Sequence, residues 1–220
     1  MPRYLPPTKM QRPSTSKYSK NMTKLFLAGS LLCCAFTKAS NTPWFTGRIV
    51  YRNEFQNVAG EAVPGKPGAE TCCYFQDDNY KAYAPDHRMS ELYTGKTHTL
   101  LTFENGRARE GAAEPWPKTV LTRLPATAVI LGYPCQSLQL VQGGLRCVIY
   151  YSPTLRVNPQ GFRGYPAGFW SALLKATDGA LPLRTIAINA EQDFAATSEA
   201  TAVQAMALTA ADFSPGAPAR

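Results

Sequence analysis

Histidine is scarce in this sequence of 220 residues, which contains only His87 and His98. Neither histidine stands in a spacing typical of metal ligands, such as His-Glu-x-x-His. The sequence also lacks a Gly-x-Ser-x-Gly nucleophile elbow and a glycine-rich phosphate loop. Asp77 and Asp78 are adjacent carboxylates, but acids beside Asn79 are typical of a solvated turn rather than of a Ca²⁺ site or a catalytic pair. We therefore predict no catalytic residues, no metal and no cofactor.

Acidic residues are absent from the first 39 positions, although these positions contain seven of the 23 lysines and arginines. The rest of the chain holds 16 basic and 15 acidic residues, so the formal net charge of +8 comes almost entirely from the N-terminal stretch. Nucleic-acid binding requires a basic surface on the folded domain. Downstream, the densest group of cations is Arg107 with Arg109. We predict that the folded domain does not bind nucleic acid.

A hydrophobic run long enough to span a membrane is also missing. The longest apolar stretch, Leu25–Phe36, has 12 residues and would measure about 18 Å as a helix, against a hydrocarbon core of about 30 Å. It follows Lys24 and precedes small residues at Thr37 and Ala39, which is the pattern of a secretory signal peptide. We predict a signal peptide at residues 22–39, export to the periplasm or the exterior, and no permanent transmembrane anchor. The alternative is a buried core helix.

Residues 1–21 precede this signal and have two interpretations, a disordered tail or an over-extended start, because Met22 opens a normal short basic region. The apolar stretch contains Cys33 and Cys34, and a lipoprotein signal carries a small residue before its modified cysteine. A leucine precedes the first of these cysteines, so the context argues against lipid anchoring. The mature chain is predicted to begin near Ser40, without either thiol.

Downstream of Thr46, short runs rich in β-branched and aromatic residues alternate with Gly, Pro, Asn and Asp, and helical periodicity is rare. This pattern predicts a mainly β fold with an antiparallel sheet, in one domain over residues 40–215 that is followed by a tail at 216–220. Asn105-Gly106 and Gly143-Gly144 are predicted hairpin turns, because these residues tolerate the positive φ that tight turns require. The predicted strands are Gly47–Phe55, Thr71–Gln76, Tyr80–Ala84, Thr97–Phe103, Arg107–Glu110, Val120–Leu124, Cys135–Val141, Leu145–Tyr151 and Leu183–Asn189.

One segment shows helical spacing instead. Phe169 and Leu173 fall on one stripe within residues 168–177, and Gly179 follows as a stop signal. We predict one short amphipathic helix there. The segment 199–212 is ambiguous between an alanine-rich helix and a strand of alternating apolar residues, and we favour a last strand.

Several short motifs resemble a group of exported proteins common in Bacteroidota. The motifs are Gly47–Arg52, Ile130–Cys135, Val148–Pro153, Asp178–Leu183 and Asp212–Pro215. The group includes proteins of unknown function and the GLPGLI family, whose Gly-Leu-Pro-Gly run this chain lacks, and it is similar to the lipoprotein-carrier (LolA-like) superfamily. The resemblance implies a curved, half-open antiparallel sheet with a helix over its concave face, a shape that holds acyl chains or other apolar ligands.

The run 148–151 is apolar on both faces of the predicted sheet, so both faces require a cover. Two interpretations of the concave face remain. The helix and the loops fill it as an ordinary core, or part of it stays open and binds a lipid or another apolar small molecule under Trp170. The candidate ligand-contacting residues are Tyr51, Phe75, Phe103, Ile149, Tyr151 and Trp170.

Two function classes are compatible with these features. The first is a non-catalytic envelope protein that binds or carries an apolar ligand, and the second is a secreted or envelope scaffold with a filled core. An exported hydrolase is the third alternative, because residues distant in sequence can still assemble into a triad.

Four cysteines lie in the predicted mature chain, Cys72, Cys73, Cys135 and Cys147, and an oxidising compartment permits disulfides. If the glycine pair forms the second hairpin turn, Cys135 and Cys147 are five residues out of register. They are then about 17 Å apart, beyond the limit of about 7 Å for a bridge. Cys72 and Cys73 are neighbours on a strand and point to opposite faces. Any bridge is predicted to join one of Cys72 or Cys73 to one of Cys135 or Cys147, with free buried thiols as the alternative.

Overall fold

The computed structural model describes residues 44–63, 69–111, 118–166, 169–216 and 219. The predictions for residues 1–21, for the signal peptide at 22–39 and for most of the tail at 216–220 lie outside the described residues.

Strands account for most of the described chain. The α-helix is short, and two single turns of 3₁₀-helix follow it. The strands are β1 (Gly47–Gln56), β2 (Ala69–Gln76), β3 (Asn79–Tyr83), β4 (Met89–Thr94), β5 (Thr99–Glu104), β6 (Arg107–Glu110), β7 (Thr119–Ile130), β8 (Tyr133–Gln142), β9 (Leu145–Arg156), β10 (Ala180–Asn189) and β11 (Phe194–Ala205). The helix α1 is Trp170–Ala176, and the 3₁₀ turns are Ala190–Gln192 and Ala210–Phe213.

All eleven strands belong to one antiparallel sheet with the order β6-β5-β4-β3-β2-β1-β11-β10-β9-β8-β7. The described chain enters the sheet in its middle at β1 and meanders outward to β6 at one edge. It resumes at β7 on the opposite edge and meanders back to β11, which pairs with β1 from Gly47↔Ala205 to Gln56↔Ala195. This architecture confirms the predicted fold class, a mainly β protein with an open antiparallel sheet and, in the described ranges, one short α-helix.

Both predicted hairpin turns are present. Asn105 and Gly106 have φ of 51° and 74° between β5 and β6, and Gly143 has φ of 56° between β8 and β9. The second hairpin pairs Leu140 with Cys147. The register on which the disulfide prediction depends is therefore confirmed.

The predicted strands for β7, β9 and β10 were three to six residues too short at one end, and the strand predictions were wrong at three further places. β4 was not predicted, because its six residues alternate weakly and include Ser and Glu. His98 was assigned to a strand, but it lies in the turn before β5 with φ of 53°. The predicted strand over 199–212 ends at Ala205, because Thr209 and Asp212 form a capping box that starts a 3₁₀ turn.

The two faces of the sheet have different covers. On the face that we call the helix-covered face, α1 and the residues before it pack on two clusters that share Trp170. On the opposite face, which we call the C-terminal face, Leu208 and Phe213 pack against Tyr74 and Tyr83. The strands β2 to β5 therefore have an apolar layer on each side.

The residues that directly follow α1 terminate the helix. The hydroxyl of Thr177 donates to the Leu173 carbonyl at 2.9 Å, and the Gly179 amide donates to the Leu174 carbonyl at 2.7 Å. Gly179 has φ of 83°, a left-handed conformation that favours glycine at helix ends. A Cβ atom at this position would lie 2.0 Å from the Val157 carbonyl oxygen, so the position also requires the absence of a side chain.

Candidate functional site

The segment between β9 and β10, residues 157–177, lies over the helix-covered face, and we call it the covering segment; residues 167 and 168 are outside the described part. Its first half is irregular, with turn hydrogen bonds from the Gly161 amide to the Asn158 carbonyl and from the Tyr165 amide to the Phe162 carbonyl. Two prolines and two glycines in residues 159–166 explain the lack of a regular helix there. Side chains therefore hold this half on the sheet.

Two glycines let the covering segment approach the sheet closely. A Cβ atom at Gly161 would lie 2.0 Å from the Asp78 Cβ atom, and one at Gly164 would lie 2.5 Å from the ring of His98. Tyr93 adds a hydrogen bond at this point, because its hydroxyl donates to the Gly161 carbonyl at 2.8 Å. The covering segment thus contacts two neighbouring turns at one end of the sheet, the β2–β3 turn with Asp78 and the β4–β5 turn with His98.

Aromatic rings from the sheet and the covering segment meet in a narrow cleft. The lining residues are Phe75, Tyr80, Phe162, Tyr165 and Trp170. The Tyr80 ring lies 5.3 Å from Phe75, 6.4 Å from Tyr165 and 6.3 Å from Trp170, measured between centroids. The rings leave no space for a water molecule. We call this feature the aromatic cleft, and it is closed in this structure.

A buried polar group lies beside the aromatic cleft. The Tyr165 hydroxyl donates to the Glu91 carboxylate at 3.3 Å, and the Tyr80 hydroxyl lies 3.7 Å from the Cys73 sulfur. Burial raises the pKa of Glu91 above its usual range, and hydrogen bonds from Tyr80 and Tyr165 oppose this rise without cancelling it. Burial also raises the pKa of the Cys73 thiol to about 12. The Cys73 thiol is therefore protonated near neutral pH.

The six predicted ligand-contacting residues do not form one group. Phe75 and Trp170 line the aromatic cleft. Tyr51 lies in the same cluster, and its hydroxyl donates to the Pro182 carbonyl at 2.8 Å. Ile149 and Tyr151 lie in the adjoining cluster beneath Leu173 of α1. Phe103 packs on the C-terminal face instead.

The sequence reasoning missed the residues that complete the cleft, Tyr80, Phe162 and Tyr165, and the neighbouring Glu91. The alternation in β3 contained a usable signal, because Tyr80 and Ala82 share one face while Lys81 and Tyr83 share the other. Phe162 and Tyr165 stand in an irregular segment, where no periodicity assigns a direction to a side chain.

A wider groove of about 510 Å³ lies where β3 and β5 end and β4 begins. Its apolar part is formed by Tyr83, Met89 and Phe103. Asp86 and Arg88 lie at the groove as an ion pair with 2.5 Å between carboxylate and guanidinium. The two charges neutralise each other, so the groove has no strong preference for a ligand of either sign.

Lys81 is fully buried on the C-terminal face. Its ammonium lies 4.6 Å from the centre of the Tyr74 ring, 5.1 Å from Tyr83 and 5.6 Å from Phe213. It also donates to the Tyr83 hydroxyl at 3.2 Å. The aromatic rings compensate part of the loss of hydration, and Lys81 joins the sheet to the C-terminal segment.

The four cysteines of the described chain are free thiols. Cys73 and Cys135 lie in one cluster and Cys147 in the next. Burial raises the pKa of Cys147 to about 11, so this thiol is also protonated at neutral pH. A bridge between either of Cys72 or Cys73 and either of Cys135 or Cys147 stays a prediction for oxidising conditions.

Within the described ranges, no group of three or more His, Cys, Asp and Glu side chains is placed to hold a metal ion. The same residues include no helix that is long and apolar enough to cross a membrane.

No family model matches this sequence, and no curated protein matches it. Among solved structures, PNGF-II is similar with a TM-score of 0.46 and 15% identity, over 75% of this chain and 29% of that chain. This chain therefore spans less than a third of the length of PNGF-II. A putative outer membrane lipoprotein-sorting protein domain from Vibrio parahaemolyticus is similar with a TM-score of 0.34 and 9% identity, over 78% of this chain and 90% of that domain.

A DUF1329 family protein from Desulfovibrio piger is similar with a TM-score of 0.35 and 8% identity, over 80% of this chain and 92% of that protein. All of these likenesses have TM-scores below 0.5. The resemblance to the LolA-like superfamily stays a prediction. The same holds for the resemblance to exported Bacteroidota proteins and to the GLPGLI family.

Proposed function

We propose that this chain is a non-catalytic protein that binds an apolar ligand, such as a lipid, in the aromatic cleft beneath the covering segment. The observation that carries the proposal is the composition of the cleft. Its five lining residues are aromatic, and they come from both the sheet and the covering segment. Such an interior favours an apolar molecule and offers few partners to a polar one.

The covering segment is the part that moves when a ligand enters, because the strands beneath it are hydrogen-bonded to one another in a single sheet. The hydroxyls of Tyr93 and Tyr165 attach its irregular half to the sheet at Gly161 and Glu91. Each of these hydrogen bonds contributes about 1 kcal/mol. Opening of this half breaks these two hydrogen bonds and exposes Phe162 and Tyr165 but separates no strand, so it is a local event.

In this proposal, Phe75 and Trp170 contact the ligand directly. Tyr51, Ile149 and Tyr151 belong to the clusters beneath the covering segment, and they line the space that opens when the segment moves. Phe103 lies on the other face and has no part in this cavity. Because residues 22–39 are predicted to be a signal peptide, we propose that the protein binds its ligand in the periplasm or outside the cell.

A scaffold without a ligand is the second candidate, and a specific observation favours it. The cleft has no space for a water molecule, as expected for a core that the protein fills by itself. In that case the aromatic residues only stabilise the fold, and the surface of the protein contacts its partners.

Native mass spectrometry of the purified mature chain separates the two candidates. We expect a co-purifying lipid mass that disappears on denaturation. We also expect saturable binding of N-phenyl-1-naphthylamine, an uncharged fluorescent probe, and displacement of the probe by a fatty acid. A bare protein mass together with unsaturable probe fluorescence would exclude the binding function and support the scaffold.

The variant Tyr93→Phe tests the location of the ligand. It removes the hydroxyl that holds Gly161 and keeps the ring, so the closed state loses about 1 kcal/mol. We expect the affinity for the probe to increase about fivefold. Tyr150→Phe is the matched control, because Tyr150 lies beside Arg184 rather than in the cleft. Equal affinities for both variants would place the binding site elsewhere.

A further inference from the structure

The outer side of the covering segment carries a second, polar pocket. It has a volume of about 130 Å³ and is lined by Pro159, Gln160, Arg163, Ser171, Lys175 and Asp178. The lining alternates along the chain with the residues of the aromatic cleft, because Phe162 and Trp170 point to the sheet while their neighbours Arg163 and Ser171 line this pocket. One segment thus separates an apolar space from a polar one.

Two cations of this pocket have no acidic partner among the described residues. The ion pairs of the described chain are Arg88–Asp86, Arg109–Glu104, Arg156–Asp178 and Arg184–Glu199, and neither Arg163 nor Lys175 is in this set. Neither side chain forms another ion pair or hydrogen bond with the described residues. Both side chains are exposed, so they are free to contact a ligand.

The carboxylate in the pocket is already neutralised. A guanidinium nitrogen of Arg156 forms a very short contact with the Asp178 carboxylate, and another donates to the Asp178 carbonyl at 2.9 Å. The ring of Trp44 also packs on Arg156, 5.3 Å from its guanidinium carbon. The positive charge of Arg163 and Lys175 therefore remains uncompensated.

We propose that Arg163 and Lys175 form a binding site for a phosphate-type oxyanion on the outer side of the covering segment. The guanidinium of Arg163 binds two oxygens of a tetrahedral anion, and the Lys175 ammonium binds as a point charge. The Gln160 amide and the Ser171 hydroxyl, which here donates to the Arg163 carbonyl at 3.4 Å, provide neutral donors. The anion is a free phosphate group or a lipid headgroup. The site is independent of whether an apolar ligand enters the cleft.

A titration of the full mature chain with inorganic phosphate tests the site, with chloride adjusted to hold the ionic strength constant. We expect saturable changes in the backbone amide NMR signals of residues 159–178, with half-saturation at about 1 mM or below. Arg163→Gln and Lys175→Gln should each weaken binding about fivefold or more. Arg163→Lys should weaken it less, because the charge remains.

The matched control is Arg107→Gln, which removes one exposed cation from the distant edge strand β6 and should leave phosphate binding unchanged. All of these positions are on the surface, so the variants should retain the fold. An equal loss of binding in the control would overturn the proposal, because it would show attraction by net charge alone.

Flotation with vesicles distinguishes the two sources of the anion. The vesicles consist of phosphatidylcholine, with or without phosphatidylglycerol. Phosphatidylglycerol-dependent flotation that Arg163→Gln with Lys175→Gln abolishes supports a lipid headgroup, and binding of inorganic phosphate alone supports a soluble ligand. The proposal is overturned if wild-type protein binds neither, or if the double variant binds both as wild type does.

Discussion

Glu91 is a carboxylate that burial destabilises. It stands in β4 under the covering segment, with the Tyr165 hydroxyl as a partner. Burial raises its pKa despite this hydrogen bond. The ionised carboxylate is therefore less stable in the folded protein than in the unfolded chain, and the protein carries a pH-dependent weakness at this point.

Glu91→Gln should remove this weakness. The pKa of Glu91 is higher in the folded state than in the unfolded chain. The protonated side chain therefore contributes its full stabilisation to the folded state only below the unfolded pKa of about 4.3. This stabilisation declines as the pH rises through the folded pKa. Urea unfolding at pH 4 and pH 8 should show the variant gaining stability relative to wild type only at pH 8. Glu70→Gln, at an exposed position of β2, is the control, and a pH-independent difference for Glu91→Gln would contradict the expectation.

Gly179 and Gly132 offer a matched pair, since their φ angles are 83° and 82°. A Cβ atom at Gly179 meets the Val157 carbonyl oxygen at 2.0 Å, whereas one at Gly132 meets nothing within 4 Å. Gly132→Ala should lower the free energy of unfolding by about 1 kcal/mol, from backbone conformation alone. Gly179→Ala should lower it by about 3 kcal/mol, measured by urea denaturation. Equal losses would mean that the close contact is relieved by a small backbone shift.

At the scale of elements, the sheet protects its two edges differently. β6 has four residues, all exposed, with the sequence Arg-Ala-Arg-Glu, and a short charged edge resists pairing with another chain. β7 has twelve residues and exposes Val120 and Val129. It is interrupted by Pro125, beside a register shift in its pairing with β8, and Arg123 adds a charge. Arg123 and Pro125 therefore protect the longer edge from pairing with another chain.

Replacing both, Arg123→Val with Pro125→Val, should promote association through β7. The variant would present a continuous apolar edge with free amide groups, which is a template for a further strand. Sedimentation velocity at increasing concentration should show dimers or larger species for the variant and a concentration-independent species for wild type. Arg107→Val on β6 is the control. A monomeric double variant would show that the bulge alone protects this edge.

The predicted elements show what local sequence can and cannot specify. Alternation and turn residues specified most strands, and the β8–β9 glycine pair specified the register that separates Cys135 from Cys147. Within the covering segment, only the helix was predicted, at 168–177. The structure has this helix at Trp170–Ala176. The irregular half of the covering segment depends on contacts of Gly161 and Gly164 with turns far away in sequence. Such contacts leave no periodic pattern, so the aromatic cleft was only partly predicted.

At the scale of the whole molecule, two parts of the chain meet at the β1–β11 ladder. The part of the chain from β7 onward also supplies the covering segment on one face and, after β11, Leu208 and Phe213 on the other. The part from β1 to β6 therefore obtains both of its covers from the later part of the chain. Neither part has a complete core without the other, and we expect them to unfold together.

Ile49→Ala tests this coupling. Ile49 is fully buried in β1, opposite Val203 of β11, and its truncation should lower the free energy of unfolding by about 3 kcal/mol. Urea transitions followed by tryptophan fluorescence and by far-ultraviolet circular dichroism should coincide for wild type and variant. Separate transitions in the variant would show that the two parts are independent folding units.

The pairing of Gly47 with Ala205 has a mechanical consequence. The start of β1 and the end of β11 lie side by side, so a force that pulls the two ends of the domain apart acts across the ladder rather than along it. After the contacts of Leu208 and Phe213 are lost, the hydrogen-bonded pairs between β1 and β11 break one after another, beginning at Gly47 and Ala205. We therefore expect a force applied between these two ends to separate β1 from β11 at a low load, even though both strands are central to the sheet.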